Sequence, residues 1–433
     1  MRIEVQALAF KPLNFGRWVV WGLTAAVFLT LPIFFSKGFA LTLLSQMGIT
    51  MIFALSYNML LGQSGMLSFG HAVYSGLGAF FAIHAMRWIG AGTLLWPTSL
   101  LPLIGGAAGA LFGVIFGYLT TRRAGTPFAM ITLGLGEMVF AASLMFPGFF
   151  GGEGGITADR AGGRPFLGIA SITFGPQIQV YYLIAVWCLV CIVAMYALTQ
   201  TPLGRIANAV RDNPERAEFI GYSTQRVRWL MLILSSFFAG IAGALTAINF
   251  EIVSAENVSA VRSGGVLLAA FIGGAAFFFG PILGAVVFVF FAVALSEYTK
   301  AWQLYLGVFF VLLVMYAPGG LSSLILMNLR VVRFKKFRRL RDPYFGVMAS
   351  ALALAFGTVL LIELMYHVTL NVGQGPIVRL FGISFDTERA PAWLFSVSIV
   401  AAASVAFEFY RRRFKQQWDA VQVEIEDWVR DNA

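Results

Sequence analysis

Apolar runs long enough to cross a lipid bilayer recur along the whole 433-residue chain. A helix needs about 20 consecutive apolar residues to span the hydrocarbon core, where its backbone groups find no water. Hydrophobic residues make up 59% of the chain and charged residues 12%, which is more apolar surface than a soluble domain buries. The runs are continuous rather than alternating, which disfavours a barrel. The sequence therefore predicts an all-α, polytopic membrane protein.

Twelve crossings are predicted, about 10 in a core and about 2 near the C-terminus. The two on either side of Gly280-Pro281 are short, so this region forms either two crossings or one broken, re-entrant element. The predicted crossings are residues 18–36, 39–61, 66–86, 94–120, 128–147, 178–199, 228–250, 264–279, 281–297, 302–318, 344–366 and 391–409.

The basic residues follow this predicted topology. With a cytoplasmic N-terminus, 22 of the 30 Lys and Arg residues fall in inside segments and 8 in outside segments, as the positive-inside rule requires. This distribution predicts that both termini are cytoplasmic and that residues 148–176 face outward. It also disfavours binding to nucleic acid, although the net charge is +10.

One charged segment, which begins at Leu203, separates two long apolar runs. Within it, Asn213 is a favourable N-cap, Pro214 suits the first helical position and Glu215 suits the positive end of the helix dipole. Gly221 can end the helix in a left-handed conformation. The pattern predicts a short helix at the membrane surface. An ordinary cytoplasmic loop, basic only because of topology, remains the alternative on spacing alone.

The run Ala209-Val210-Arg211-Asp212-Asn213-Pro214, followed by Arg216-Ala217 and Gly221, resembles a signature of the LivM-type permeases of branched-chain amino acid ABC importers. In that family the surface helix is the coupling helix, which docks into a groove of the cytoplasmic ATPase. The resemblance thus implies an ATPase-coupling element made of Arg211, Asp212, Asn213, Pro214, Glu215, Arg216, Ala217 and Gly221.

A second stretch resembles the family pattern N-x-x-x-G-x-x-G-x-x-S-x-G-H-A. We expect two of its glycines, Gly62 and Gly65, to bracket a tight turn. A lone histidine at a membrane boundary, as at His71, is more typical of a hydrogen-bonded structural residue than of a proton relay. The pattern is matched by Asn58, Gly62, Gly65, Ser68, Gly70, His71 and Ala72.

Two further stretches suggest a translocation pathway. Thr132–Glu137 fits the family pattern T-L-G-x-G-E, and a carboxylate within a span, such as Glu137, is costly and functional by default. The alternative is that Glu137 braces a neighbouring helix. Gly273, Gly274, Gly280 and Pro281 fit a glycine-rich family block, which this chain departs from at Gly265, where the family usually has Glu nearby, and at Ala275-Ala276.

The resemblance covers residues 43–326 and predicts a permease core at 1–328. A basic cytoplasmic linker at 329–342 follows, then an extension at 343–410 with two further spans and a charged, amphipathic cytoplasmic tail at 411–433. In the tail, apolar residues recur at helical spacing, which predicts a helix on the membrane surface. They are Trp418, Val421, Ile425 and Trp428. No function for this extension follows from its sequence.

The resemblance implies a transport subunit of a bacterial inner-membrane importer, not an enzyme. Its partners would be a second permease, two cytoplasmic ATPases and a periplasmic or lipoprotein binding protein. The chain has no G-x-x-x-x-G-K-[ST] phosphate loop, so ATP and Mg²⁺ would bind to the ATPases. No metal site or catalytic residue is predicted. The implied substrates are branched-chain or hydrophobic amino acids, or related solutes such as urea, amides and aromatic acids.

Two other classes of function remain open at this point. An ion-coupled secondary transporter or channel would need ionisable groups within its spans, and Glu137 is the clearest one. A membrane-embedded enzyme would need clustered His, Asp or Glu, but the three histidines are scattered.

Overall fold

The computed structural model describes residues 15–162, 173–334, 336–370, 377–380, 383–387 and 389–431. The predicted charges at Arg2 and Lys11 and residues 163–172 of the predicted outer segment lie outside the described residues. The α-helices in the described ranges are α1 Phe15–Phe34, α2 Gly38–Ser64, α3 Ala72–Gly90, α4 Leu101–Thr120, α5 Thr126–Met145, α6 Pro147–Phe150, α7 Gln177–Gln200, α8 Pro202–Asp212, α9 Pro214–Phe219, α10 Thr224–Phe250, α11 Ala260–Gly273, α12 Gly280–Val289, α13 Trp302–Tyr316, α14 Gly320–Arg333, α15 Phe337–Leu370 and α16 Ala390–Asp431.

The prediction of a polytopic helical membrane protein is confirmed. Each of the twelve predicted crossings overlaps a helix, but fewer of these helices are long and apolar enough to span a membrane. Within the described ranges, seven helices are long and apolar enough to span a membrane alone, or eight if the bent pair α13 and α14 counts as one span. The N-terminal helix and the pair around Gly280-Pro281 are shorter apolar helices. The seven spans lie in Gly38–Ser64, Thr98–Thr120, Thr126–Met145, Gln177–Gln200, Thr224–Phe250, Arg338–Thr369 and Ala390–Trp428.

Helix α10 occupies the centre of the core and packs against α2, α3 and α4. Its contact with α3 depends on Gly243, because a Cβ atom there would overlap the carbonyl oxygen of Ser75. Gly240 meets Gly105 of α4 backbone to backbone in the same way. Small residues allow such close approach within a membrane, where dispersion contacts hold helices together.

Helices α11 and α12 form a tight antiparallel hairpin. Gly273 lies against the carbonyl of Gly280, and Gly284 lies against that of Ala269. The hairpin arms are only 14 and 10 residues long, and a π-helical segment, Phe290–Leu295, continues the second arm. The region is therefore two short apolar helices joined at a glycine-rich turn.

Two short strands, β1 (Ile156–Thr157) and β2 (Ile252–Val253), pair in an antiparallel ribbon. Beside them the buried Arg160 guanidinium donates to the carbonyls of Phe174 (2.8 Å) and Gly175 (2.9 Å). It also donates to the carbonyl of Asn249 (3.2 Å) at the end of α10. A cation at a helix C-terminus is favourable because the orphan carbonyls there carry partial negative charge. Arg160 thus joins the segment after β1 to the end of α10.

We expect Arg160→Met to lower the free energy of unfolding by about 3 kcal/mol, because several buried carbonyls lose a charged donor together. Arg87→Met is the matched control, since the exposed Arg87 makes one bond, to the carbonyl of Thr157 (2.8 Å). Thermal unfolding of the purified chain in detergent measures both effects. Equal losses in the two variants would contradict the assigned role of Arg160.

The chain divides into two compact units, residues 1–298 with 306–322 and residues 299–305 with 323–433. In the second unit α15 and α16 form an antiparallel pair, with Gly346 against Tyr410 and Gly357 against Ile399 and Val400. The strands between them, β3 (Ile377–Leu380) and β4 (Ile383–Asp386), form a hairpin.

The structure adds two details to the predicted organisation of the C-terminal region. The predicted linker at 329–342 is largely helical, as the end of α14 and the start of α15. The predicted tail is helical but not separate, because α16 runs unbroken for 42 residues. The apolar stripe of the tail packs against its own unit, with Val421 and Ile425 buried against Val331 and Leu340. Helical spacing alone does not show which surface such a stripe contacts.

Candidate functional site

The charged segment after Leu203 folds as two short helices, α8 and α9. The Asn213 side chain caps α9 by accepting from the backbone N–H of Arg216 at 2.9 Å. Gly221 has a φ of +90°. Its N–H donates to Glu218 (2.9 Å), and the N–H of Tyr222 donates to Ala217 (3.1 Å). These two bonds form a Schellman motif. The predicted short helix, with its N-cap and its terminal glycine, is confirmed.

The end of α9 presents apolar side chains to solvent. Phe219 is 90% exposed and Ile220 is 67% exposed, followed by Tyr222 at 44%. Ala217 is buried and holds the helix against the core. Exposed aromatic side chains on a polar segment are typical of binding surfaces. These residues are not among the predicted site residues, although two adjacent apolar residues directly before the terminal glycine are a signal in the sequence.

Arg211 joins this surface to the end of α2. Its guanidinium donates to the carbonyl of Gly62 and pairs with Asp212 at 2.8 Å. A cation is favourable there because the carbonyls at a helix C-terminus are negatively polarised. The two family signatures, far apart in sequence, therefore meet at the C-terminus of α2.

The expected tight turn between Gly62 and Gly65 is wrong in one respect. Gly62 lies in the last turn of α2, and only Gly65, with a φ of +66°, is left-handed. A side chain at either glycine would collide with neighbours. A Cβ atom at Gly65 would lie 2.9 Å from Cγ of Arg211, and one at Gly62 would overlap the carbonyl of Ala275 and the Asn58 side chain.

His71 is fully buried between α2 and α3. Its Nε2 lies 3.0 Å from the hydroxyl of Ser56, and its ring stacks on Phe53 with the centroids 5.5 Å apart. The hydroxyl of Ser235 on α10 donates to the carbonyl of Ser56 at 2.6 Å. This packing is what a hydrogen-bonded structural histidine requires.

The segment between α2 and α3 also contacts α5. Tyr57 donates to the carbonyl of Ser68 at 3.0 Å. The backbone N–H of Phe69 donates to the hydroxyl of Thr132 at 3.2 Å. A Cβ atom at Gly70 would overlap the carbonyl of Thr132. The T-L-G-x-G-E stretch of α5 thus packs against the second family signature, in the segment between α2 and α3.

Glu137 stands apart from these contacts. It follows Gly136, which faces Gly70, but its own side chain is exposed on the outer face of α5. It makes no hydrogen bond or ion pair with other parts of the chain that the structure describes. An exposed carboxylate in an apolar span requires water or a partner subunit beside it.

The glycine block forms the turn of the α11–α12 hairpin. Gly273 and Gly280 contact each other there, and Pro281 lies in the first turn of α12. Gly274, with a φ of +101°, packs against the carbonyl of Gly319. Because Ala275 also meets Gly62, this turn adjoins the end of α2. The segment formed by α8 and α9, helix α2 and the hairpin turn therefore form one continuous chain of contacts.

Residues 39–317 match a protein-family model described as the branched-chain amino acid transport system / permease component. The chain belongs to this family. The matched range agrees with the predicted extent, about 43–326, and ends before the C-terminal extension. A protein of this family is a multi-pass membrane permease, and its role is transport.

Two curated relatives of the family carry the printed name high-affinity branched-chain amino acid transport system permease protein LivM. The protein from Escherichia coli K12 is 28% identical over 291 residues, which cover 63% of this chain and 67% of the relative. The protein from Salmonella typhimurium LT2 is 29% identical over the same shares of both chains. No solved structure matches the chain significantly.

Proposed function

We propose that this chain is the membrane-spanning subunit of an ATP-driven importer of branched-chain or other hydrophobic amino acids in a bacterial inner membrane. The exposed end of α9 is the observation that carries the proposal. Phe219 and Ile220 project from a helix fixed by caps at both ends. Such a rigid apolar tip suits insertion into a groove on a cytoplasmic ATPase.

Four kinds of partner complete the proposed importer: two cytoplasmic ATPases, a second permease of similar fold, a receptor outside the membrane and the lipid bilayer itself. The ATPases bind ATP and Mg²⁺ and perform hydrolysis, so this chain makes and breaks no bond. The exposed Glu137 supports a second permease or a water-filled pathway against the outer face of α5.

The contacts also support a route by which ATPase closure moves the spans. A displacement of α8 and α9 is transmitted through Arg211 to Gly62 at the end of α2. The end of α2 passes it to the α11–α12 turn at Ala275. These contacts are close-packed, so the elements move together rather than deform. Access to the pathway would then alternate between the receptor side and the cytoplasm.

The proposed orientation predicts which cysteines an impermeant thiol reagent reaches in intact cells. Glu153→Cys lies in the predicted outer segment, and Glu215→Cys lies on α9; both side chains are exposed. We expect the first cysteine to be labelled from outside and the second only after the cells are permeabilised. The reverse pattern would overturn the orientation.

Reconstitution tests the proposed function. The complete complex is placed in vesicles, and uptake of labelled leucine, driven by the loaded receptor, is measured with ATP, with a non-hydrolysable analogue, and with a proton or sodium gradient alone. Uptake that requires hydrolysable ATP supports the importer. Uptake driven by an ion gradient without ATP would favour the ion-coupled transporter instead.

A further inference from the structure

A cavity of about 650 Å³ opens between α2, α10 and the α11–α12 hairpin. Its walls are largely apolar and include Ile49, Phe140, Val266 and Phe288. This volume falls within the range of small-molecule sites. Part of the wall is the π-helical segment, through Ala292 and Val293, and such segments are frequent at functional sites.

The cavity contains one partly buried cation, Arg262. Its guanidinium donates to the side-chain oxygens of Asn257 (2.6 Å) and Thr246 (3.1 Å), which are both neutral. The guanidinium also lies 6.0 Å from the centre of the Phe53 ring. Arg262 has no carboxylate within 4.0 Å in the described part of the chain, although Arg160 and Arg211 each have one.

A guanidinium in this position favours an anionic ligand. Five N–H donors project from the group, and these two bonds use only two of them. Taking the charge out of water is costly unless an anion compensates it. Because the fork of donors matches a carboxylate in two parallel bonds, a carboxylate is the best-fitting anion.

A negative side chain, that of Glu256, lines the same cavity. Glu256 is exposed and, like Arg262, has no oppositely charged partner within 4.0 Å in the described residues. The cavity is therefore lined by a cation, by an anion that is not paired with it within 4.0 Å, and by apolar side chains. A hydrophobic α-amino acid carries the complementary three features, a carboxylate, an ammonium group and an apolar side chain.

We propose that this cavity is a binding site for hydrophobic α-amino acids in transit, in which Arg262 holds the carboxylate and Glu256 faces the ammonium group. The assignment rests on the proposed function only for the origin of the ligand. It also narrows the substrate class, since urea and simple amides carry no anion for Arg262. The apolar wall favours amino acids with a hydrophobic side chain.

Direct binding tests this site without the receptor. The two permeases with the two ATPases, but without the receptor, are placed in lipid nanodiscs and incubated with tritiated L-leucine, and L-leucinamide or 4-methylpentanoate is added as competitor. Each competitor lacks one charge of leucine. We expect each to compete about tenfold or more weakly than unlabelled leucine, because each leaves one charged group of the site unsatisfied.

Variants test which group of the ligand each of the two charged side chains binds. Arg262→Gln should weaken leucine binding about tenfold or more and remove the preference for leucine over leucinamide. Arg262→Lys should retain part of the leucine binding and part of the preference for leucine over leucinamide. Glu256→Gln should mainly reduce the preference for leucine over 4-methylpentanoate. Arg87→Gln, an exposed arginine outside the cavity, is the control and should bind leucine normally.

The site and the importer fail in distinguishable ways. If the wild-type complex transports leucine with ATP but leucinamide competes as well as leucine, or Arg262→Gln binds leucine normally, the site is overturned and the importer stands. If the complex uses no ATP but leucine binding depends on Arg262 as described, the importer fails and the site stands. The competitor ratios need only wild-type protein, so a poorly folding variant does not prevent the decision.

Discussion

Replacing Gly221 with valine is expected to abolish transport-coupled ATP hydrolysis while the permease still inserts and keeps its partner permease. Gly221 has a φ of +90°, where a β-branched residue is strained by about 1–2 kcal/mol. No other atom lies within 4 Å of a Cβ built there, so the cost comes from the backbone alone. Helix α9 has only six residues and cannot absorb that cost, because short helices depend on their caps.

The matched control for this prediction is Gly221→Asn, because asparagine tolerates the left-handed region. We expect the asparagine variant to keep most of the coupled hydrolysis. The measurement is ATP hydrolysis stimulated by the loaded receptor in reconstituted vesicles, together with co-purification of the ATPases. Charge reversal at the exposed Arg216 should weaken coupling less, since a rim ion pair contributes about 0–1 kcal/mol. Normal uptake by the valine variant would show that this segment is only a connecting loop and does not couple transport to ATP hydrolysis.

Gly243→Ala should destabilise the chain by about 2–3 kcal/mol and lower its amount in the membrane. The new methyl group would overlap the carbonyl oxygen of Ser75, which belongs to the backbone of α3 and cannot rotate away. The helices would separate to admit it, and separation along a close-packed seam forfeits many dispersion contacts.

Gly307→Ala is the control for Gly243→Ala, because Gly307 lies on α13 with no atom within 4 Å of the added methyl group. Alanine there should be neutral or stabilising by up to about 1 kcal/mol, since it favours the helix. Thermal unfolding of the two purified variants in detergent gives the comparison. Similar unfolding temperatures for both would show that the α3–α10 seam yields more easily than its geometry indicates.

Local chemistry explains which parts of the site could be predicted from sequence. The short helix α9 could be predicted because its signals act within one or two turns. These signals are the N-cap at Asn213, the proline at 214 and the terminal Gly221. The apolar runs predicted the helices for the same reason, since bilayer thickness sets their length. The second signature predicts a turn that begins at Gly62, whereas α2 continues to Ser64, because Gly62 does not break the helix by itself.

The contacts between distant segments could not be predicted in this way. No local pattern shows that Arg211 reaches Gly62, or that Ser235 donates to the carbonyl of Ser56 across two helices. The cation in the cavity was missed for a related reason. Arg262 is one of the eight basic residues in the predicted outside segments, and only the packing shows its neutral partners, Asn257 and Thr246.

Photocrosslinking from Phe219 tests the central claim, that α9 docks into an ATPase, most directly. A benzophenone side chain replaces Phe219, which is 90% exposed, and Tyr298, which is 88% exposed and lies in a predicted outside segment, serves as the control position. The complete complex is irradiated in membranes with and without ATP. We expect an adduct with the ATPase from position 219, altered by ATP, and none from position 298. Absence of an ATPase adduct at 219 from an intact complex would contradict the docking of α9.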